Sequence, residues 1–145
     1  MSTTIEIFKY EKNVEYYAAG DTIFQAGDDG HYMYVIQDGE VEVCVDDKVI
    51  DTLGPGGVFG EMALIDKSPR TATVRARSDC RVVPIDESRF MNHVHRTPFF
   101  AIQVMRIMNE RLRRRMAEAG AHYRNSPDCQ ACSATFPGGE GQDAI

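Results

Sequence analysis

From residue 14 to residue 85 the chain alternates short apolar runs with small groups of turn-forming residues. Runs of five or six residues rich in β-branched and aromatic side chains are typical of strands. The clearest runs, with glycine, aspartate and proline recurring in the segments between them, are 32–37, 41–45, 49–53, 71–76 and 80–85. Because no crossover helix separates them, they favour a β-sandwich or a small jelly-roll barrel and argue against a doubly wound α/β sheet.

The run 41–45 has the most regular pattern, since valine occupies every second position with Glu42 and Cys44 between. Side chains of a strand point alternately to opposite faces, so we predict a half-buried strand with its valines facing inward. The Asp38–Gly39 pair just before this run predicts a two-residue hairpin turn, whose central residues take positive φ.

After residue 85 the pattern becomes helical. Asp86 is a good helix N-cap, and we predict a helix over 86–96, with Ile85 and Phe90 placed as a hydrophobic staple. Thr97–Pro98 is a second start signal, because proline is favoured at the first helical position. It predicts a longer helix over 98–119.

The longer predicted helix ends at Gly120 and has a continuous apolar stripe with steps of three or four residues. The stripe consists of Ala101, Met105, Met108, Leu112, Met116 and Ala119. It fits either a core-facing side or a seam between two copies of the chain, and we expect a homodimer through this helix. Residues 1–13 form a lead-in, and residues 121–145, rich in helix breakers, predict a flexible tail.

Composition places the chain among ordinary globular domains: 145 residues, 43% hydrophobic and 26% charged. We find no apolar run long enough to cross a membrane and no secretory signal at the N-terminus, so we expect a cytoplasmic protein without membrane insertion. Without a disulfide framework, Cys44 and Cys80 are interpreted as small buried hydrophobes.

The net charge of −6 argues against direct nucleic-acid binding, which requires a basic surface. The one basic cluster lies on the long helix at Arg111 and Arg113–Arg115. We interpret it mainly as a solvated helix face, because the chain that follows leaves no room for a helix-turn-helix unit.

The candidate chemistry lies at residues 59–74, after a glycine-rich turn. Around Gly60 the backbone can turn sharply and open a short helix, so that several N–H groups point into one concave patch suited to an anion. Arg70 adds a guanidinium, which offers parallel donors to a phosphate. Glu61 places a carboxylate beside the anion patch, where sugar hydroxyls are suitable donors.

The sequences Phe-Gly-Glu-Met-Ala-Leu at 59–64 and Pro-Arg-Thr-Ala-Thr-Val at 69–74 resemble the phosphate-binding cassette of cyclic nucleotide-binding domains. These domains occur in catabolite activator proteins, cyclic nucleotide-dependent kinases and cyclic nucleotide-gated channels. The resemblance extends from about Val14 to Arg115 and is closest to the bacterial catabolite-activator sensors. It implies a double-stranded β-helix (jelly-roll) over 14–85, a hinge helix and a long lid helix.

The resemblance also implies roles for individual residues. Arg70 would pair with the cyclic phosphate, Glu61 would accept from the ribose 2′-hydroxyl, and Thr71 could reach the phosphate or a guanine edge. The implied binding residues are Phe59, Gly60, Glu61, Met62, Ala63, Arg70, Thr71 and Ala72, with Arg111 or Arg115 of the lid helix covering the base. An arginine can lie flat over a purine ring through a cation–π contact. A structural ion pair between Arg70 and Glu61 is the alternative.

Two metal-site hypotheses are weak. His93 and His95 are two residues apart on a predicted helix, where their side chains point to nearly opposite sides. Cys129 and Cys132, with His122 upstream, form a single pair in a segment full of breakers, where an inert role is more common than a zinc or redox site.

We therefore expect a stand-alone sensor of a cyclic nucleotide, cAMP rather than cGMP, that needs no cofactor, has no enzymatic activity and reports to an unknown downstream protein. Two alternatives stay open. The chain could be the regulatory module of a larger channel, kinase or transcription factor, or a structural β-roll that no longer binds nucleotide.

Overall fold

The computed structural model describes residues 4–124, so Cys129, Cys132 and most of the predicted tail lie outside the described residues. The chain divides into two compact units, with the boundary between Ile107 and Met108. Its strands and helices, in chain order, are β1 (Glu15–Tyr17), β2 (Thr22–Phe24), β3 (Met33–Asp38), β4 (Val41–Val45), β5 (Lys48–Leu53), β6 (Val58–Phe59), α1 (Glu61–Ile65), β7 (Thr73–Ala76), β8 (Cys80–Ile85), α2 (Glu87–Arg96) and α3 (Phe99–Arg124).

The strands form two four-stranded antiparallel sheets. One has the order β1-β8-β3-β6 and the other the order β2-β7-β4-β5. Strands that are neighbours in sequence are thus often in different sheets, as in a jelly roll. The predicted fold, a β-roll followed by two helices with the second one long, is confirmed.

The turn at Asp38–Gly39 does not form the predicted hairpin. β3 and β4 belong to different sheets, and of the two turn residues only Gly39 has a positive φ, 85°. The two-residue hairpin instead joins β4 to β5 at Asp46 and Asp47, with φ of 52° and 64°. Such a turn needs positive φ at both positions, and aspartate tolerates this conformation better than most residues.

The predicted alternation in β4 holds only at its start. Val41 is buried, but Cys44 is buried as well and Val45 is exposed, because the pairing with β5 shifts register between Val43 and Cys44. A bulge of this kind reverses which side chains face inward. The prediction that Cys44 and Cys80 are buried hydrophobes is confirmed, and both thiols are free.

The lead-in contributes to the core of the first unit. Ile5 and Phe8 are buried, and the Phe8 ring meets the rings of His93 and Phe100 edge-on at 4.8 and 6.0 Å. The side chain of Gln37 donates to the backbone carbonyls of Phe8 and Glu11. The segment 4–13 is therefore attached to the roll, to α2 and to the start of α3.

Both helix starts and the end of α2 agree with the prediction, whereas the end of α3 does not. Asp86 caps α2, its side chain accepting from the backbone N–H of Arg89 at 2.8 Å. α3 continues through Gly120 to Arg124, so the predicted end of the lid helix at residue 119 is wrong. Glycine lowers helix stability by about 1 kcal/mol relative to alanine but does not break the hydrogen-bond ladder.

The apolar stripe predicted on α3 is not the buried face. In the first unit the helix buries Phe100, Val104 and Ile107, whereas Met105 of the stripe is 55% exposed. Further along, Leu112 and Met116 are 58% and 62% exposed. The stripe thus lies outside the core, and the homodimer expected through it stays a prediction.

Candidate functional site

The site is built where β6 passes into α1. Gly60 caps the helix with a φ of 79°, a conformation that side chains other than hydrogen disfavour. A Cβ atom at Gly60 would lie 2.8 Å from Nη1 of Arg70 and 3.2 Å from the carbonyl oxygen of Tyr32. Glycine is therefore needed here twice, for the turn and for the close approach of the arginine.

Arg70 is fixed from its backbone outward. Its N–H donates to the carbonyl of Asp28 and its carbonyl accepts from the N–H of Gly27, both at 2.8 Å. In the side chain, Nη1 donates to the Gly60 carbonyl at 3.0 Å and Nη2 to the Tyr32 carbonyl at 2.9 Å. The guanidinium is thus held against the turn that opens α1.

The electrostatic setting of Arg70 is that of a buried cation. The residue is 7% exposed, and its guanidinium lies 3.9 Å from the centre of the Phe24 ring. Burial lowers the pKa of Arg70, and the neighbouring Tyr34, Asp28 and Glu61 oppose this shift. Nε is buried and has no hydrogen-bond partner. Because both side-chain hydrogen bonds go to neutral carbonyls, the site retains the capacity to attract an anion.

The other cassette residues line the same turn. Glu61 is 8% exposed and opens α1, and its charge acts on the Arg70 guanidinium. Ala63 is buried, while Met62 is 43% exposed. The Thr71 hydroxyl lies 3.5 Å from the sulfur of Met62. Because the first N–H groups of a helix lack intrahelical acceptors, α1 presents donors beside the two charged groups.

Two further candidates take different positions. Phe59 is 2% exposed and stacks on Tyr34, with the ring centres 5.1 Å apart, so its side chain belongs to the hydrophobic core. Ala72 is half-buried just before β7.

The arginines expected to cover the base belong to the second unit. Arg111 and Arg115 both lie on α3, and Nη1 of Arg115 pairs with the carboxylate of Glu118 at 3.0 Å. Their role at the nucleotide stays a prediction.

Sequence reasoning missed the residues that hold Arg70. Phe24 contacts its guanidinium through the aromatic ring and Tyr32 through the backbone carbonyl. Gly30 lies so close to the guanidinium that a Cβ atom there would overlap it. A signal was present in Gly30, since a glycine can mark a close backbone approach as well as a turn.

Across the described part of the chain, no three His, Cys, Asp or Glu side chains come together in a group that could hold a metal ion. His93 and His95 lie on α2 as predicted. Among residues 4–124, no helix combines the length and apolar character needed to cross a bilayer.

Comparison of the sequence with known proteins points to a single family. The model of the cyclic nucleotide-binding domain matches residues 14–97. The cAMP-dependent protein kinase regulatory subunit of Eremothecium gossypii is 41% identical over 71 residues, which are 49% of this chain and 16% of that protein. This chain therefore spans only a small part of that relative.

Solved structures similar to this chain agree with the match to the family model. The Catabolite Activator Protein of Thermus thermophilus aligns with a TM-score of 0.68 and 27% identity, over 77% of this chain and 57% of that one. PKAR CBD2 bound to Sp-2Cl-cAMPS aligns with a TM-score of 0.59 and 32% identity, over 68% and 66% of the two chains. The family model covers more than half of the 145 residues and includes the whole cassette. The chain belongs to the cyclic nucleotide-binding domain family.

Proposed function

We propose that the chain binds a cyclic mononucleotide, cAMP in preference to cGMP, and works as a signalling sensor that catalyses no reaction. The observation that carries the proposal is the buried guanidinium of Arg70, held 3.0 Å from the Gly60 carbonyl at the opening of α1. The preference for cAMP is supported by two relatives, a regulatory subunit described as cAMP-dependent and a domain bound to a cAMP analogue.

The proposed binding mode uses the donors that Arg70 has left. A guanidinium carries five N–H donors in a fixed fork, and the two carbonyl contacts leave several for an anion. A cyclic phosphate diester carries one negative charge and takes these donors together with the N–H groups of Gly60, Met62 and Ala63. The carboxylate of Glu61 accepts from the ribose 2′-hydroxyl, and Thr71 lies beside the phosphate.

In the proposed signalling step, α3 moves relative to the roll when the nucleotide binds, and Arg111 or Arg115 covers the base. A ligand can drive such a motion only through its different affinity for the two arrangements. The exposed residues Met105, Leu112 and Met116 support a homodimer through α3. We further propose a cytoplasmic location, a stand-alone chain and an unidentified downstream protein, which a pull-down with and without nucleotide would capture.

Calorimetric titration with cAMP and cGMP tests the proposal. We expect saturable binding of both nucleotides, tighter for cAMP. Arg70→Ala should weaken binding by about 3 kcal/mol or more, roughly a hundredfold, because it leaves the phosphate charge unpaired. If the folded wild-type chain binds neither nucleotide, it is a structural β-roll and the proposal is wrong. Full affinity in the Arg70→Ala variant would contradict the assigned site.

A further inference from the structure

The guanidinium of Arg70 occupies a narrow slot that is lined by residues outside the cassette sequence. The ring of Phe24 on β2 lies 3.9 Å from its central carbon, and the ring of Tyr34 lies 5.9 Å away. On the loop between β2 and β3, Gly30 approaches so closely that an added Cβ would lie 2.4 Å from both Cζ and Nε of Arg70. Such a distance is far below van der Waals contact.

Gly30 does not need to be glycine for its own backbone, since its φ is not in the left-handed region. The lack of a side chain therefore serves the neighbour and not the turn. The space that a Cβ would fill is the space that the guanidinium occupies. Phe24 supplies the complementary wall, because a desolvated cation over an aromatic face is attracted by the ring.

This slot leaves the edge of the guanidinium for a ligand. The central carbon of the guanidinium lies over the Phe24 ring, 3.9 Å from its centre, whereas the N–H donors that bind an anion point outward in the plane of the group. The carbonyls of Gly60 and Tyr32 fix the rotation of that plane. A group fixed before binding loses less conformational entropy when the ligand arrives.

We propose that Phe24 and Gly30 are positioning residues for the cyclic phosphate, which set affinity by holding the Arg70 guanidinium in its slot without touching the nucleotide. This inference rests on the proposed function. It assigns to Phe24 and Gly30 the role of positioning the Arg70 guanidinium, whereas the cassette residues are proposed to contact the nucleotide directly.

Gly30→Ala is the sharpest test, and the chain offers a matched control. A Cβ at Gly54 would meet open space and its φ is ordinary, so Gly54→Ala makes the same chemical change without disturbing a neighbour. In calorimetric titration with cAMP we expect Gly30→Ala to lower affinity roughly tenfold, and Gly54→Ala to leave it within about twofold. Phe24→Leu should lower cAMP affinity by a similar factor. Phe24→Tyr, which keeps an aromatic face, should retain most of the wild-type affinity.

A double-mutant cycle separates positioning from general damage to the fold. With Arg70→Ala as the background, Gly30→Ala and Phe24→Leu should cause no further loss of cAMP affinity, because the group they position is gone. Wild-type affinity in Gly30→Ala and Phe24→Leu, or an equal loss in the presence and absence of Arg70, would overturn the inference. In both cases wild-type binding would still stand, whereas a wild-type chain that binds no nucleotide would instead refute the proposed function.

Discussion

Removal of the Glu61 carboxylate should produce a loss of affinity that depends on one hydroxyl of the ligand. Glu61 is 8% exposed and opens α1 beside Arg70. A hydrogen bond to a charged, desolvated acceptor contributes about 1.5–3 kcal/mol. We therefore expect Glu61→Ala to weaken cAMP binding roughly 10- to 100-fold. Glu61→Gln, which keeps an acceptor but loses the charge, should have an intermediate effect.

The assay is calorimetric titration of each variant with cAMP and with its 2′-deoxy analogue. The deoxy analogue lacks the donor that Glu61 is proposed to accept from, so Glu61→Ala should change its affinity by no more than about twofold. The control is Glu42→Ala on β4, which removes a carboxylate paired with Arg75 of β7. This variant should bind both ligands as the wild type does. Equal losses for both ligands in Glu61→Ala would refute the ribose contact and favour a structural ion pair with Arg70.

Three further outcomes follow from the structure. Asp86→Ala removes the cap of α2 and should lower the free energy of unfolding by about 1 kcal/mol in urea titration, while Asp86→Asn should retain most of it. Burial, with the charges of Arg89 and Arg96, lowers the pKa of His93 below its usual 6.5. The unfolded chain then takes up the proton first, so stability should fall as pH decreases below about 6.5, and His93→Gln should flatten this dependence in thermal melts. Leu112→Glu should shift the proposed dimer toward monomer in sedimentation, and an unchanged mass would contradict the seam on α3.

Local patterns in the sequence predict most of the elements. The runs 41–45 and 80–85 match β4 and β8, and Asp86 marks the start of α2. These features are set by side-chain periodicity and by caps, which are local properties. The assignment of strands to sheets could not be derived in this way, because Asp38–Gly39 has the composition of a hairpin but joins strands of different sheets. That outcome depends on pairing with distant strands.

The candidate site shows the same division. The cassette from Gly60 to Arg70 is contiguous enough to be identified by its resemblance to the motif of a known family. The slot around its guanidinium is not, because Phe24 and Gly30 lie some forty residues away and contact Arg70 only in the folded chain. The stripe on α3 had the right period but the wrong phase for burial, since Phe100, Val104 and Ile107 face the core of the first unit.

The most direct test of the central claim is the ¹H–¹⁵N resonance of the Arg70 side-chain Nε–H during titration with cAMP. This buried group has no hydrogen-bond partner among the described residues, so its resonance is sensitive to any anion that arrives at the guanidinium. We expect a large downfield shift that saturates with binding, with the resonance identified by its absence in Arg70→Ala. Saturable cAMP binding that leaves this resonance in place would contradict the claim that the cyclic phosphate is held by Arg70.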